Sequence, residues 1–189
     1  MTASIIKRLI NTEEYQDMAK TGLIKPDENT ELIQGEIFTM SPVGSKHAAV
    51  VKLLSAKLFH LFSNKFIISV QDPVHLNQWT EPQPDIALLK FQENYYADSH
   101  PQPENILLVI EVADTSYDYD HQIKKAIYAS AGIPEFWIVN LNENRIEVFH
   151  APEQDEYKVR KLYFTNDSIP ILKKKIKVND VFLNMGKKA

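Results

Sequence analysis

Apolar and polar residues near the amino end follow first a helical and then a strand-like pattern. The segment NTEEYQDMAKTG has Thr12 as a cap, acidic residues in its first turn and Gly22 as a stop, which together predict a short helix. The segment TELIQGEIFTM has two short strand-like runs around Gln34-Gly35, a pattern typical of a tight hairpin. We therefore expect a helix followed by a two-stranded hairpin.

The middle of the chain combines one long helical pattern with several strand-like runs. Apolar residues recur at helical spacing in 46–62, namely Val50, Leu54, Leu58 and Leu61. This spacing predicts a helix with one face packed on a sheet. Three apolar runs then predict strands at 66–71, 84–90 and 105–113, and the proline-rich piece 91–103 predicts a surface loop.

A second helical pattern, 119–131, ends at the sequence AGIP. Gly132 suits a left-handed cap, and Pro134 prevents the helix from continuing. EFWIVNL and RIEVFHA flank NEN as a hairpin, and EYKVRKLYF predicts one more strand. Helices on either side of a mostly β centre indicate an α/β or α+β fold with a mixed sheet, and 189 residues suit one domain, 1–189.

One carboxylate interrupts the apolar run 105–113. Strand alternation predicts one face with Leu107, Val109, Glu111 and Ala113 and another with Ile106, Leu108, Ile110 and Val112. A carboxylate in a core strand is costly unless it is protonated, paired or bound to a metal. We expect Glu111 near a strand end that opens to solvent, and Asp85 at the start of its own strand. Two such carboxylates can converge on one magnesium ion, which prefers oxygen ligands.

Helical spacing directs a lysine toward the same place. In a helix that begins near residue 119, Asp120, Lys124 and Tyr128 share one stripe at four-residue steps. Lys124 can then point back at the preceding strand, where Ala113 leaves space for it. A lysine beside a metal and a scissile phosphate can orient the attacking water and stabilise the negative charge that develops.

The composition narrows the classes of protein. The chain has 44% hydrophobic and 24% charged residues, as globular proteins do, and it has no cysteine. Disulfides, thiolate metal sites and a cysteine nucleophile are excluded, and we expect a cytoplasmic location. The segment MTASIIKRLI has too short an apolar run for a signal peptide, and no segment approaches the roughly 20 apolar residues that span a bilayer. We expect no membrane partner.

The net charge of −4 and the pI near 5.9 argue against bulk attraction to nucleic acid. The run KKKIK at 173–177 could supply a local basic surface, but such a run is more often a solvated strand edge that blocks aggregation. Trp79, Tyr95 and Tyr96 could stack on bases, whereas Trp137 is expected in the core. A G-x-S-x-G elbow, a phosphate-binding glycine loop and an H-E-x-x-H helix are all missing from the sequence.

Three segments, QPDIALL, IEV and YDHQIKKAIYASAGIPEFWIV, resemble the Uma2 family of endonucleases, within the restriction-endonuclease-like PD-(D/E)xK superfamily. The resemblance extends from ELIQGEIFTMSPVGSKH through the EFWIVNL hairpin, and 111–139 is its specific part. It implies a restriction-endonuclease-like core, in which helices flank a mixed central sheet and extra β-hairpins are added. It also implies a magnesium-dependent nuclease, with manganese able to substitute.

The resemblance assigns roles to individual residues. Asp85 would match the aspartate of the motif and Glu111 its acidic second ligand, with the carbonyl of Val112 as a third ligand. The lysine of the superfamily usually lies two residues after the acid, where this chain has Ala113. The resemblance implies that in this family the lysine is displaced onto the following helix, where Lys124 would take its role.

Three further residues are candidates for accessory roles. Glu31 and His47 fall where the family pattern has a glutamate and a histidine, and Gln83 lies two residues before Asp85. Glu31 would add a carboxylate to the metal site, or it is an exposed hairpin residue. His47 would face the cleft from a helix start, or it makes a structural hydrogen bond. Gln83 would contact a metal-bound water, or it merely precedes a strand.

Each main candidate also has an ordinary interpretation. Asp85 could be a turn residue after proline, Glu111 a paired strand-end carboxylate, and Lys124 part of a solvated helix face. Their order within the family-like segment favours the catalytic interpretation for the three together.

Two hypotheses follow. The first is an endonuclease that hydrolyses phosphodiester bonds in DNA, with RNA left open as a substrate, and that acts as a homodimer because two-fold DNA invites a two-fold protein. The second is a catalytically inactive nuclease-fold module that binds nucleic acid or protein. Departures from the family pattern at Gln34, Asp114 and Asn140 bear on this choice, and Asp114, which adds negative charge beside the site, favours the second.

Overall fold

The computed structural model of the chain describes residues 6–182. Within them the strands are β1 Thr30–Ile33, β2 Glu36–Thr39, β3 Phe66–Val70, β4 Ile86–Lys90, β5 Ile106–Ala113, β6 Glu135–Asn140, β7 Arg145–Glu153, β8 Glu156–Tyr163, β9 Ser168–Ile171 and β10 Lys174–Lys177. The helices are α1 Thr12–Lys20, α2 Ser45–Phe62, α3 Tyr117–Tyr119, a π-helical turn Asp120–Lys124 and α4 Lys125–Ser130. Residues 1–5 and 183–189 lie outside the described residues. The segment MTASIIKRLI begins in the first of these ranges, and the predicted domain 1–189 includes both. The single domain therefore stays a prediction.

Six strands form the central sheet in the order β3-β4-β5-β6-β7-β8. β5 and β6 run parallel, because the helical run 117–130 carries the chain back across the sheet, and the other neighbouring pairs run antiparallel. The hairpins β1-β2 and β9-β10 are separate two-stranded sheets. This mixed sheet with flanking helices and extra hairpins confirms the predicted fold class.

The central sheet has an apolar core on each face. α2 packs on one face and buries Val50, Leu54 and Leu58, as its helical spacing predicted. The helical run 117–130 packs on the opposite face through Ile127 and Tyr128. None of the helices in residues 6–182 has the length and apolar character that a bilayer crossing requires.

Two of the solvent-exposure predictions can be checked in this fold. Trp137 is fully buried in the core, as predicted. The lysines of β10 are exposed while Ile176 is buried, which fits the solvated strand predicted for 173–177.

The first helix is capped by Asn11, so the prediction of Thr12 as its cap was wrong. The Asn11 side chain accepts the Glu14 N–H at 2.9 Å, and the Glu14 carboxylate accepts the Asn11 N–H at 3.1 Å. This reciprocal pair is a capping box. Both candidates can cap a helix, but only Asn11 has a glutamate three residues later, since Tyr15 follows Thr12 at that spacing.

The predicted strand alternation fails at the amino end of β5. The register between β4 and β5 shifts at Leu107, which is a β-bulge. Ile106 therefore packs in the same core as Val109, whereas simple alternation predicted opposite faces. Beyond the bulge the alternation holds through Ala113, so Glu111 lies on the predicted face.

The helix predicted at 119–131 begins two residues earlier, at Tyr117, and includes the π-helical turn Asp120–Lys124. A π turn inserts an extra residue, and the apolar spacing of the sequence gives no sign of it. Gly132 adopts a φ of 73°, which confirms the predicted left-handed end of the helix.

Candidate active site

A cleft of about 720 Å³ opens where β4 begins and β5 ends. It is lined by all six predicted site side chains, Glu31, His47, Gln83, Asp85, Glu111 and Lys124. They come from β1, α2, the segment before β4, β5 and the π-helical turn. Residues that lie up to 93 positions apart along the chain thus share one cleft.

The β1-β2 hairpin holds Glu31 against the cleft. Its turn residues Gln34 and Gly35 have φ values of 51° and 80°, the pair of positive angles that a two-residue hairpin turn needs. The Gly35 N–H donates to the Trp79 carbonyl at 2.7 Å, and Leu32 forms a bridge with Glu81. The hairpin is therefore anchored to the segment that leads into β4.

Asp85 is held by three donors just before β4. Its Oδ2 lies 2.8 Å from His47 Nε2 and accepts the Val112 N–H at 2.8 Å, and its Oδ1 accepts the Gln71 side-chain amide at 3.2 Å. Because β4 begins only at Ile86, the Val112 N–H donates to this carboxylate instead of to a strand. The N–H and C=O of one strand residue point to the same side, so the Val112 carbonyl also faces Asp85.

Glu111 is buried, with 3% of its surface exposed, so the predicted solvent-open position was wrong. Its Oε1 accepts hydrogen bonds from Lys124 Nζ at 3.0 Å and from the Tyr128 hydroxyl at 2.8 Å. Its Oε2 accepts the Asp85 N–H at 3.3 Å. These three donors offset the cost of burying the carboxylate.

Lys124 is also buried, with 2% of its surface exposed. Its Nζ donates to Glu31 Oε1 at 2.8 Å as well as to Glu111. The side chains of Asp120, Lys124 and Tyr128 are all buried, which confirms the predicted stripe and excludes the solvated-face interpretation of Lys124.

Glu31 belongs to the buried part of the site, so the exposed-hairpin alternative does not hold. Its Oε1 accepts the Gln83 N–H at 3.0 Å in addition to Lys124. Its Oε2 is buried and has no hydrogen-bond partner among the residues that the structure describes. The Gln83 side chain donates to the Gln71 carbonyl, so Gln83 orients Glu31 through its backbone.

The cleft carries more negative than positive charge. Burial raises the pKa of Glu111 well above its usual value, and nearby carboxylates add to this rise while Lys124 opposes it. Burial also raises the pKa of Asp120 to about 6, although Lys124 and the Ser116 hydroxyl oppose the rise. A cation entering the cleft would relieve this repulsion.

The pKa values of the two basic residues of the site, Lys124 and His47, are both raised. Burial lowers the pKa of Lys124, but the charges of Glu111, Glu31 and Asp120 outweigh burial and hold this pKa well above its usual value. Lys124 therefore remains charged at neutral pH and cannot act as a general base. Burial also lowers the pKa of His47, yet the hydrogen bond and charge of Asp85 raise it overall.

The chemistry of the donors fits a hard divalent cation. Three carboxylate oxygens keep acceptor capacity, namely Glu31 Oε2, Glu111 Oε2 and Asp85 Oδ1. Magnesium prefers such oxygens and keeps several waters. Within residues 6–182, no group of three or more His, Asp or Glu side chains is arranged so that it could hold a metal ion by itself. These residues therefore suit a cation that takes few ligands from the protein and the rest from water.

Sequence reasoning missed two residues that hold the carboxylates. Tyr128 was placed on the stripe of Lys124 without a role, although its spacing of four residues from Lys124 could have indicated one. Gln71 follows β3 with a φ of 55°, and no sequence pattern marks it. Asn140 Oδ1 accepts the N–H groups of Asn142 and Glu143, so this departure from the family pattern caps a turn outside the cleft.

The chain matches the model of the Uma2 family, described as "Putative restriction endonuclease", over residues 12–174. It is similar in structure to a "putative nuclease belonging to DUF820" from Anabaena variabilis ATCC 29413, with a TM-score of 0.70 and 14% sequence identity. That similarity covers 92% of this chain and 97% of the other. No curated protein matches the chain. At 14% identity the likeness shows the fold, which agrees with a restriction-endonuclease-like core.

Proposed function

The chain belongs to the Uma2 family, and from this membership we propose that it is a metal-dependent endonuclease that hydrolyses phosphodiester bonds in DNA. One observation carries the proposal: Asp85, Glu111 and Lys124 meet in a single cleft although they lie on separate elements. Their ordinary interpretations do not account for this convergence, because a turn residue, a strand-end carboxylate and a surface lysine have no reason to share a cleft.

Asp85 and Glu111 would hold magnesium or manganese, with the Val112 carbonyl as a third ligand and Glu31 as an added carboxylate. Such a cation, when bound, supplies a Lewis acid and lowers the pKa of a coordinated water. Two observations support this assignment: Glu31 Oε2 has no hydrogen-bond partner within 6–182, and the pKa of Glu111 is raised. His47 and Gln71 would fix the orientation of Asp85 through their hydrogen bonds.

Lys124 would act as a charged positioning group. Two of its N–H donors are engaged by Glu31 and Glu111, and the third remains for the attacking water or a phosphate oxygen. Hydrolysis adds the water oxygen to phosphorus and breaks the bond from phosphorus to the leaving sugar oxygen, which gains a proton. Lys124 stabilises the negative charge in this step and keeps its own proton.

The partners expected from the sequence extend this proposal. Both strands of duplex DNA would be cut by a homodimer, because a two-fold substrate suits two symmetric sites. Gln83, whose N–H orients Glu31, would lie beside the waters of the cation. The cytoplasmic location stays a prediction.

The test is incubation of supercoiled plasmid with the protein and magnesium or manganese, or with a chelator. Asp85→Asn should lower cleavage about 100-fold or more, because it removes a ligand charge. Lys124→Gln should also lower it strongly. Asp155→Asn in the β7-β8 turn and Lys90→Gln at the far end of β4 make the same charge changes at exposed sites and should leave cleavage intact.

Each outcome has a distinct meaning. Loss in Asp85→Asn alone would keep the metal site and remove Lys124 from the mechanism. If plasmid DNA and RNA both stay intact while magnesium raises the melting temperature, the metal site exists but the inactive-module hypothesis is the better one.

A further inference from the structure

A second charged cluster lies beside the cleft, on the same face of the central sheet. Its centre is Glu147, which is fully buried on β7. Glu147 Oε1 accepts hydrogen bonds from Arg145 Nε at 3.2 Å, from Arg145 Nη2 at 3.0 Å and from the Tyr117 hydroxyl at 2.7 Å. Glu147 Oε2 accepts from Arg160 Nε at 2.9 Å and contacts Arg160 Nη2 at 2.6 Å. One buried carboxylate thus fixes two guanidinium groups.

Arg160 keeps donors for a further partner, whereas the Arg145 side chain is only 19% exposed and its Nη1 contacts Glu143. An arginine has five N–H donors, and Arg160 uses its Nε and Nη2 on Glu147 while 45% of its side chain remains exposed. Lys125 adds a third cation, with its Nζ 5.8 Å from the centre of the Phe149 ring. Three cations, Arg145, Arg160 and Lys125, stand against the two carboxylates of Glu147 and Glu143, so the cluster carries one more positive than negative charge.

The strand register places this cluster near the presumed cutting site. Arg145 pairs with Asn140 across β6 and β7, and Asn140 pairs with Ala113 at the end of β5. Neighbouring strands lie about 4.8 Å apart, so Arg145 is two strands, or about 10 Å, from the end of β5. Arg160 lies one strand further, opposite Phe149. A DNA backbone that enters the cleft and continues across this face of the sheet would therefore meet both arginines within a few nucleotides.

We propose that Arg145 and Arg160, fixed by Glu147, form a phosphate-binding surface that holds the DNA backbone a few nucleotides from the cleaved bond. This inference rests on the proposed function, since it names where the substrate is held. The net charge of −4 and the carboxylates of the cleft repel DNA, so attraction must come from a local group of cations. Guanidinium groups suit it because they pair with phosphate oxygens bidentately.

Glu143 offers a way to test the surface without disturbing the buried Glu147. Its side chain is 52% exposed and contacts Arg145 Nη1, so it competes with a phosphate for that donor. Glu143→Gln removes the competing charge and leaves the Glu147 network intact. DNA binding should become tighter by about threefold, because Arg145 is then free to contact the backbone.

The experiment measures binding of a short fluorescent DNA duplex by anisotropy at several salt concentrations, with calcium in place of magnesium. Arg160→Gln should weaken binding about tenfold and reduce the salt slope by about 1, as the loss of one phosphate contact does. Lys161→Gln, on the opposite face of β8, is the matched control for Arg160→Gln. Glu156→Gln, at the far end of the β7-β8 hairpin, is the matched control for Glu143→Gln.

If a test variant and its control change DNA affinity equally, the change comes from the net charge of the protein and not from these arginines. That outcome would overturn the inference. Arg160→Gln could unfold because Glu147 loses a partner. In that case Glu143→Gln still tests the inference, since an unchanged DNA affinity of Glu143→Gln also overturns it. A wild-type protein that cuts plasmid while Glu143→Gln and Arg160→Gln bind like their controls refutes the phosphate-binding surface alone. A wild-type protein that neither cuts nor binds DNA refutes the proposed function and the surface together.

Discussion

At the scale of single residues, the ion pair of Lys124 and Glu111 depends on its neighbours. Lys124 is shared with Glu31, and Glu111 also accepts the Tyr128 hydroxyl. Removing one partner from a buried pair leaves the other charge uncompensated, and this costs more than the pair contributes. Variants of these residues should therefore have effects that do not add, and pairs of variants are more informative than single ones.

Tyr128→Phe tests whether the tyrosine hydroxyl orients Glu111. The change removes one hydrogen bond to a charged acceptor and keeps the ring in the core, so it should cost about 1.5 to 3 kcal/mol of unfolding free energy. It should also weaken calcium or magnesium binding several-fold by calorimetry, because Glu111 loses a fixed orientation.

Tyr157→Phe is the matched control for that variant. The Tyr157 hydroxyl donates to the Ile133 carbonyl at 2.9 Å, and its ring packs in the same core, away from the cleft carboxylates. It should lower stability and leave metal affinity unchanged. Equal metal affinity in the two variants would contradict a positioning role for Tyr128.

Lys124→Met should destabilise the fold as well as abolish activity. The methionine fills the space, but Glu31 and Glu111 lose their shared buried cation, and the expected cost is about 3 to 5 kcal/mol by urea unfolding. Adding Glu31→Gln should recover part of this loss, because one of the two uncompensated carboxylates becomes neutral. Lys90→Met at an exposed site serves as the control, and a double variant no more stable than Lys124→Met would contradict the shared-cation account.

At the scale of elements, the β1-β2 hairpin positions Glu31, and Gly35 is its most constrained residue. A Cβ at Gly35 would lie 2.6 Å from the Leu9 Cβ, whereas a Cβ at Gly22 would have nothing within 4 Å. Both glycines have φ near 80°, so Gly22→Ala should cost about 1 to 2 kcal/mol for conformation alone. Gly35→Ala should cost clearly more in urea unfolding and should also weaken metal binding. Equal losses in the two variants would mean that the contact with Leu9 relaxes freely.

The elements also show which local features a sequence can predict. The helical spacing of α2 and the Gln34-Gly35 turn were predicted because each depends on residues close together in the sequence. The bulge at Leu107 and the π-helical turn were not, because both arise where tertiary packing sets the register of one element against another. The turn matters for the site, since it holds Asp120 and Lys124 on the buried face.

At the scale of the whole molecule, the site forms where β4 begins beside the end of β5. Strand and helix patterns, read together with the family resemblance, predicted six of the side chains that line the cleft. They could not predict that Glu111 would be buried, since the β1-β2 hairpin and the π-helical turn cover this strand end with Glu31 and Lys124. Nor could they predict the network around Glu147, which joins a helix start to two strands.

The charge balance of the cleft makes the stability of the whole chain depend on pH in a definite direction. The pKa of Asp120 is raised to about 6, against about 3.9 in an unfolded chain, so between these values the folded state holds a proton that the unfolded state has released. Stability without metal should fall as pH rises from about 4 to 6. Melting temperatures measured in a chelator across this range should show a smaller fall in Asp120→Asn than in the wild type, because the raised pKa of Glu111 makes its own contribution in both.

A divalent cation should oppose this dependence. It competes with protons for the same negative charge, so magnesium should raise the melting temperature more at pH 7 than at pH 5. Glu147 does not obscure the test. Burial raises its pKa, but the hydrogen bonds from Tyr117, Arg145 and Arg160 lower it overall, so its stabilising charge is lost only at more acidic pH. A magnesium effect that is equal at pH 5 and pH 7 would show that the cation binds away from the cleft carboxylates.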